Sequence, residues 1–257
     1  MAVVKRPLFV EVAGQTDVGR KRTHNEDCFA ILPEHGLFMV ADGMGGHAFG
    51  KIASQMAIDT LHEFFAATMD DPLRAWSNNL DGARLYEQHR LKRGIQLCNH
   101  RIYQFGQRFC SERGMGTTLC ALVAVEGGVC IAHVGDSRVY RIRNAGIEQL
   151  TEDHSLLNDF KKLKKLTDEE IQNFPEKHVI VRAVGADNDI LVDTRFETAR
   201  AGDVWLLCSD GLCDAVTDQR ILEIVQSAAD LPTAARRLVE AANEYGGPDN
   251  ITCVIAR

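Results

Sequence analysis

Residues 26–43, EDCFAILPEHGLFMVADG, contain two apolar runs joined by a short polar segment. Cys28 to Leu32 and Leu37 to Ala41 are rich in residues that favour extended backbone, and each has the length of an ordinary strand. The connection from Pro33 to Gly36 is too short for a crossover helix, so we expect an antiparallel hairpin. Acidic residues stand at its open end, beside the first residue of one strand and the last residue of the other.

Similar apolar runs recur on both sides of this hairpin. We predict further strands at Leu8 to Val12, Thr117 to Val125, Val129 to Val134, Val139 to Ile142, Leu191 to Phe196, Val204 to Cys208 and Ile251 to Ile255. Helical periodicity predicts two amphipathic helices within 53–109 and two more within 217–245. Strand blocks alternating with helix pairs favour an α+β layered sandwich over a doubly wound parallel sheet. No repeat or linker divides the chain, so residues 1–257 are predicted to form a single domain.

The composition is that of an ordinary globular protein. The chain has 257 residues, of which 45% are hydrophobic and 25% are charged, and its formal net charge is -7. This charge and the lack of a basic run argue against nucleic-acid binding. The longest uncharged stretch, Gly114 to Val125, is shorter than a membrane span. Lys5, Arg6 and Glu11 interrupt the apolar residues near the N-terminus, so no signal-peptide core forms and we expect a cytoplasmic location. Eight scattered cysteines without a paired motif are typical of reduced core residues.

Acidic residues flank the predicted strands at positions that antiparallel pairing would bring together. They are Glu26, Asp27, Asp42, Asp136, Asp210 and Asp249. At an effective dielectric of about 20, two such charges 5 Å apart repel by roughly 3 kcal/mol, so a cluster of them requires protons or cations. Oxygen ligands without Cys or His favour Mg²⁺ or Mn²⁺ over Zn²⁺. Taken singly, each acid is better explained as an ordinary turn residue.

Eight short motifs occur in a fixed order from near residue 14 to the C-terminus. They are Arg22-Thr23-His24-Asn25-Glu26-Asp27, Asp42-Gly43-Met44-Gly45-Gly46-His47, Gly116-Thr117-Thr118, Gly135-Asp136-Ser137-Arg138, Leu150-Thr151-Glu152-Asp153-His154-Ser155, Arg182-Ala183-Val184-Gly185, Cys208-Ser209-Asp210-Gly211-Leu212 and Pro248-Asp249-Asn250. Each motif is weak alone, but the ordered set resembles the metal-dependent serine/threonine protein phosphatases of type 2C. The form of the second motif is similar to the compact bacterial branch.

The resemblance implies a four-layer α-β-β-α sandwich, in which two antiparallel sheets are flanked by helix pairs. It also implies two to three Mn²⁺ or Mg²⁺ ions where the sheet edges meet. Asp42 would bridge two of the ions, and the carbonyl of Gly43 would bind one of them. Asp210 and Asp249 would bind the other ion.

The remaining acids take supporting positions in the same resemblance. Glu26 and Asp27 would hold metal-bound water, and Asp136 with Asp210 would form a third, weaker metal site. Arg22 matches the arginine that grips the substrate phosphate, and a guanidinium suits the paired oxygens of a phosphate. A solvated loop charge is the competing interpretation of Arg22.

The implied reaction is hydrolysis of phosphoserine and phosphothreonine on proteins. A hydroxide that bridges the two ions attacks phosphorus in line with the departing oxygen, without a covalent phosphoenzyme. The proton donor to the leaving group is unassigned, because Met44 stands where many family members carry a histidine. His47 and His154 are nearby in sequence and remain alternatives, as does a metal-bound water.

Two other functions compete with this one. The segment from Gly45 to Lys51 begins like a P-loop, but Ile52 stands where a Mg²⁺-binding hydroxyl is needed, and no strand follows the first helix as a dinucleotide fold requires. A catalytically silent module of the same fold that binds phosphoproteins stays open as the alternative. The expected partners are phosphorylated proteins, including serine/threonine kinases and their substrates, with no nucleic acid and no membrane. The chain is expected to act as a monomer.

A variable flap is predicted at about 156–178. Residues 167–170, Thr-Asp-Glu-Glu, form a capping box that begins a short helix. Before it, four lysines are interleaved with two leucines: Lys161, Lys162, Lys164, Lys165, Leu163 and Leu166. We expect the leucines to dock the flap and the lysines to attract acidic residues of protein substrates. An ordinary solvated helix face is the alternative.

Overall fold

The computed structural model describes residues 11–45, 48–71, 80–110, 114–164, 166–167, 170–171, 174–176 and 179–257. The strands are β1 (Val12–Asp17), β2 (Cys28–Leu32), β3 (Leu37–Ala41), β4 (Gly43–Met44), β5 (Gly116–Thr117), β6 (Leu119–Val125), β7 (Gly128–Val134), β8 (Arg138–Arg143), β9 (Gly146–Gln149), β10 (Asp193–Thr198), β11 (Val204–Cys208) and β12 (Ile251–Ala256). The helices are α1 (Ala48–Ala67), α2 (Leu80–Phe109), α3 (Leu156–Leu163), α4 (Asp210–Cys213), α5 (Asp218–Ser227) and α6 (Leu231–Glu244).

Two antiparallel sheets of five strands form the middle of the molecule. Their strand orders are β1-β12-β11-β8-β9 and β10-β7-β6-β3-β2. The sheets pack face to face through a buried cluster that includes Phe38, Leu122 and the fully enclosed Trp205. A second cluster lies under α1 and α2, and a third lies under α5 and α6. The predicted α+β sandwich of two antiparallel sheets flanked by helices is therefore confirmed.

Side chains cap the two C-terminal helices α5 and α6. Thr217 caps α5 by accepting a hydrogen bond from the backbone of Arg220, as its position predicts. Asp230 caps α6 in the same way through the backbone of Thr233. Leu61 and Phe65 on α1 are completely buried against the sheet. No helix within the described ranges is long and apolar enough to cross a membrane.

The first predicted strand is displaced. We predicted a strand at Leu8 to Val12, but strand β1 runs from Val12 to Asp17. Residues 8–10 lie outside the described ranges. The segment is polar because only one face of this edge strand is covered, and apolar content is therefore a poor guide to it. A Cβ at Gly14 would lie 2.4 Å from the Phe29 ring, so the close contact between the sheets requires glycine there.

Two further strand boundaries and three short strands differ from the prediction. The predicted strand from Thr117 is divided, because the backbone N–H of Thr118 leaves the ladder and donates to the carbonyl of Asp42. The predicted strand from Leu191 begins at Asp193 instead. The short strands β4, β5 and β9 were not predicted, since their glycines and polar residues carry no strand signal.

The flap contains α3, which Ser155 caps through the backbone N–H of Asn158. The predicted docking through Leu163 is wrong, because that side chain is 82% exposed. Instead, the ring of Phe160 packs on Phe174 at a centroid distance of 5.2 Å. Leu166 is half-buried.

The predicted capping box is present in the described part of the flap. The backbone N–H of Thr167 donates to Glu170 Oε2 at 2.7 Å, and the backbone N–H of Glu170 donates to Thr167 Oγ1 at 3.2 Å. This reciprocal pair satisfies two donors at the start of a helical turn.

Candidate metal centre

Strand pairing brings acids from distant parts of the chain to one edge of the sandwich. Cys28 lies opposite Ala41 in the β2–β3 hairpin, so Asp27 and Asp42 lie next to each other at its open end. In the other sheet, Cys208 lies opposite Cys253, which places Asp210 at the end where the loop before β12 arrives with Asp249. The end-to-end placement that the sequence predicted for these four acids is therefore present.

The backbone of Asp42 is clamped by two threonines. Its N–H donates to Thr118 Oγ1 at 2.9 Å, and its carbonyl accepts from the N–H of Thr118 and the hydroxyl of Thr117, both at 2.8 Å. The Thr118 hydroxyl also lies 2.6 Å from the hydroxyl of Ser137, which precedes β8 in the opposite sheet. This chain of contacts fixes the loop of Asp42 relative to the loop of Asp136.

Asp27 is held by a hydrogen bond that crosses from one sheet to the other. Ser209 Oγ donates to Asp27 Oδ2 at 2.8 Å and accepts from the backbone N–H of Thr252 at 3.0 Å. Asp27 is only 2% exposed, so this hydroxyl orients a carboxylate that solvent barely reaches. Ser209 belongs to a quoted motif, but no role was predicted for it.

Asn250 joins the Arg22 loop to β12, and this role was also missed. Its side-chain N–H groups donate to the carbonyls of Val18 and His24, both at 2.9 Å. Its side-chain oxygen accepts from the backbone N–H of Glu26 at 2.8 Å. The signal was present in the sequence, since an asparagine between a metal-binding candidate and a strand can satisfy donors and acceptors of a loop at once.

Two glycines allow the Asp42 loop to approach α1. A Cβ at Gly43 would lie 2.1 Å from the carbonyl oxygen of Gly50, and a Cβ at Gly50 would lie 2.1 Å from Glu26 Oε2. Any side chain at either position would force the loop, the helix or Glu26 out of place. Gly43 is also paired with Thr117 in the small β4–β5 sheet.

Four of these carboxyl groups have raised pKa values. Burial is the largest cause in each case. It raises the pKa of Asp27 to about 6, that of Asp136 to about 7 with help from the charge of Asp153, and that of Asp210 to about 8 with help from Asp136. The pKa of Asp42 is raised well above its ordinary value by burial and by the charges of Asp27, Asp210 and Asp136. Acids that repel one another in a desolvated site favour bound cations.

The donor set fits divalent metal ions. Among the described residues, Asp27 Oδ1, Asp136 Oδ1 and Asp210 Oδ1 are buried oxygens without a hydrogen-bond partner. An unpaired buried acceptor is costly, and a cation would satisfy all three. The ligand atoms are oxygens, which suit Mg²⁺ or Mn²⁺.

Arg22 lies at the rim of this centre. Its Nη2 contacts Asp249 Oδ2 at 2.7 Å, and its side chain is 56% exposed. The hydrogen bond that the Arg22 guanidinium donates to Asp249 raises the pKa of Arg22, and the charges of Asp42 and Glu26 act in the same direction. Arg22 is thus oriented by the acids of the centre and is not an isolated loop charge.

A cleft of about 220 Å³ opens beside Asp136 and Asp210. Its other wall includes Asn158 and Lys161 of α3, so the flap borders the acid cluster. On its floor, Arg138 holds Asp153 with two nitrogens, at 3.0 Å and 2.6 Å.

His154 is fixed in a structural role. Its Nδ1 accepts from the backbone N–H of Gly135 at 3.0 Å, so the ring proton belongs on Nε2, which lies 3.1 Å from Asp193 Oδ2. Burial lowers the pKa of His154, which favours this neutral form. With both nitrogens engaged in the protein, His154 is not placed to protonate a leaving group. His47 lies outside the described residues.

An oxygen-rich, partly desolvated acid cluster with an arginine at its rim, between two packed antiparallel sheets, defines a metal-dependent phosphoester hydrolase. Residues 16–251 match the family model described as Protein phosphatase 2C. The chain belongs to this family of metal-dependent serine/threonine phosphatases, in its bacterial branch.

Known relatives cover nearly the whole chain. Serine/threonine phosphatase stp of Listeria monocytogenes is 36% identical over 94% of this chain and 93% of its own. Protein phosphatase PhpP of Streptococcus pneumoniae is 37% identical over 96% of both chains. The crystal structure of the Mycobacterium tuberculosis phosphatase PstP/Ppp has a TM-score of 0.83 and 34% identity, covering 97% of this chain and 98% of that one. Another structure of the PstP catalytic domain contains two manganese ions; its TM-score is 0.78 at 35% identity, over 96% of both chains.

Proposed function

We propose that this chain removes phosphate from phosphoserine and phosphothreonine on proteins at the acid cluster, with two to three Mn²⁺ or Mg²⁺ ions. The observation that carries the proposal is the set of three buried, unpartnered carboxylate oxygens on Asp27, Asp136 and Asp210. The PstP structure with two manganese ions supports it. Bound divalent ions would neutralise phosphate charge and make water more acidic.

Individual residues take the following proposed roles. Asp42 bridges two ions, with the Gly43 carbonyl beside it. Asp210 and Asp249 complete the ligands on the other side. Glu26 and Asp27 orient water, and Asp136 contributes with Asp210 to a third site. The β2–β3 and β11–β12 pairings and the β7–β8 connection that carries Asp136 support these roles.

Arg22 is proposed to bind the substrate phosphate. In the present geometry, it contacts Asp249 Oδ2 at 2.7 Å. With a cation bound to the Asp249 carboxylate, the exposed guanidinium of Arg22 would be available to donate to paired phosphate oxygens. The leaving oxygen still needs a proton, and Met44 cannot supply it.

Hydrolysis of a phosphothreonine peptide with Mn²⁺, with Mg²⁺ and with a chelator tests this function. We expect phosphate release with either ion and none after chelation, with activity restored when the ion is returned. Undiminished release after complete chelation would refute it. Tight binding of the peptide without release under all metal conditions would favour the silent phosphoprotein-binding module instead.

We further propose that residues 156–178 are a flap that selects protein substrates. Lys161 lines the cleft beside Asp136 and Asp210, whereas Lys162 is paired with Glu152 at 2.9 Å. Lys161 is therefore the lysine best placed to meet an acidic residue near the phosphorylated side chain. The observation that supports this proposal is the position of Lys161 in the lining of the cleft. The exposure of the lysine side chains does not support it, because lysines are exposed on any solvated helix.

Lys161→Gln should lower turnover of acidic phosphopeptides and reduce its dependence on salt, because one attractive charge is removed. Hydrolysis of a small aryl phosphate should change little. Lys92→Gln, at an exposed position on α2, is the matched control. Equal losses on both substrates, or none on either, would remove the flap from substrate selection.

Phosphorylated serine/threonine kinases and their substrates are the proposed partners, since a phosphatase of this class acts on phosphoproteins. The eight free cysteines support a reducing location, and we propose the cytoplasm. We propose that the chain acts as a monomer, which light scattering during gel filtration would test.

A further inference from the structure

Away from the acid cluster, two histidines and a glutamate converge on the surface. Glu34 and His35 lie in the turn between β2 and β3, and His62 lies on α1. One ligand atom from each residue lies within 4.8 Å of the other two. We propose that these three side chains bind a Zn²⁺ ion.

The distances suit a zinc ion after small side-chain rotations. Zinc bonds to nitrogen and oxygen of about 2.1 Å place two tetrahedral ligand atoms about 3.4 Å apart. The rings of His35 and His62 have centroids 5.7 Å apart and planes inclined by 61°. Inclined rings can direct nitrogens at one point from different sides.

Hydrogen bonds fix the backbone of the β2–β3 turn, and packing anchors α1. The three proposed ligand side chains are therefore held near one another before an ion binds. The N–H of His35 donates to the carbonyl of Leu32 at 3.1 Å, and the N–H of Gly36 donates to that of Pro33 at 3.1 Å. The N–H of Ala124 holds the carbonyl of Gly36 at 2.8 Å. On the other side, His62 follows the completely buried Leu61, which anchors α1.

The chemistry of the ligand set selects the ion. Two imidazole nitrogens and one carboxylate favour Zn²⁺ over Mg²⁺ or Ca²⁺, which take oxygen ligands. Glu34 and His62 are exposed, so an ion can reach the site, and a water can fill the fourth position. The acid cluster has the opposite preference, because its ligands are oxygens.

The second group of this kind among the described residues, His133, His154 and Asp193, is poorly suited to a cation. One ligand atom from each residue lies within 4.8 Å of the other two, but the histidine rings are stacked at an angle of 15° and His133 Nε2 lies 2.8 Å from the carbonyl oxygen of Glu152. His154 Nδ1 is engaged by Gly135, and Arg182 Nη1 lies 3.0 Å from His154 Nε2. A guanidinium at this position repels a metal ion.

A zinc ion at the surface site would fasten the β2–β3 turn to α1. His62 lies 14 residues after the first residue of α1, or about 21 Å along the helix axis from the end that meets Gly43. The site is therefore separate from the acid cluster. Its expected effect is on stability and not on the reacting groups.

The test is calorimetric titration of Zn²⁺ into the full chain at pH 7.5 with Mg²⁺ in excess, which occupies the acid cluster. We expect one zinc-binding event that His62→Ala abolishes and Glu34→Gln weakens by about tenfold or more. His100→Ala, at an exposed position on α2, is the matched control and should bind like the wild type. Lowering the pH to 5.5 should suppress binding, because zinc requires neutral imidazoles.

Thermal unfolding provides a second readout. Zn²⁺ should raise the Tm of the wild-type chain and of His100→Ala, but not that of His62→Ala. Aryl phosphate hydrolysis with Mg²⁺ should be equal in all three proteins, which shows that the variants are folded. Zinc binding of His62→Ala equal to that of the wild type, or no zinc binding by the wild type, would overturn the proposal.

Discussion

Replacing Asp27 by asparagine in the metal-free protein measures the free energy of unfolding that is lost when the buried Asp27 carboxyl group ionises. Burial raises the pKa of Asp27 from 3.8 to about 6. The native state therefore binds this proton more tightly than the unfolded chain, and stability falls as the pH rises through the interval between these values. At 1.36 kcal/mol per pH unit, the charged carboxylate costs about 3 kcal/mol once the pH is above 6.

Asp27→Asn removes this pH-dependent cost. The free energy of unfolding of the variant relative to the wild type should increase by about 2 to 3 kcal/mol between pH 4 and pH 8. Ser209 can still donate to the side-chain oxygen at position 27. An amide N–H left without a partner would cost the same at both pH values, so it cancels from this difference.

Urea unfolding in the presence of a chelator at pH 4 and pH 8 gives the four free energies required. Asp70→Asn, at an exposed position after α1, is the control and should show a difference within about 0.5 kcal/mol. Saturating Mg²⁺ should stabilise the wild type at pH 8 much more than the variant. A variant whose relative stability is the same at both pH values would refute the argument that burial opposes this charge.

Two further substitutions test the roles of individual residues. Asp42→Asn should reduce phosphopeptide turnover to background with an unchanged circular dichroism spectrum, because the proposed bridging carboxylate would serve both ions; turnover close to that of the wild type would make Asp42 a turn residue. Arg22→Ala should lower kcat/KM for phosphopeptides by about 10- to 150-fold, the equivalent of losing a charge-assisted hydrogen bond of about 1.5 to 3 kcal/mol. Lys21→Ala is its control, and equal values for the two variants would return Arg22 to the solvated-loop interpretation.

The β2–β3 hairpin was predictable because the residues that determine it are adjacent in the sequence. Two apolar runs and a four-residue connection determine both the strands and their pairing, and the observed strands have the predicted bounds. Asp27 and Asp42 follow from that register. By contrast, β1 was misplaced because a polar edge strand is defined by its partner β12, and no pattern within residues 12–17 records that partner.

Contacts between the sheets were not accessible from the sequence. The bond from Ser209 to Asp27 joins residues 182 positions apart, and the contact of Thr118 with Ser137 depends on how the two sheets pack. The sequence motifs included these residues, but only the structure shows which hydrogen bonds they make between the two sheets. The same limit explains Leu163, since an amphipathic pattern in a short flap helix does not say which apolar side chain finds a partner.

The acid cluster depends on both sheets at once. Asp27 and Asp42 extend from the sheet that contains β2 and β3, Asp210 follows β11 of the other sheet, and Asp136 lies in the connection from β7 to β8 that joins the two sheets. The two hydroxyl contacts made by Ser209 and Thr118 cross this boundary beside the acids. Because the carboxylates repel one another, these contacts and the apolar packing between the sheets must hold the charges together until cations arrive. The spacing of the proposed metal ligands is therefore set by the packing of the sandwich, and a cation bound between the sheets would strengthen the same contact that positions these acids.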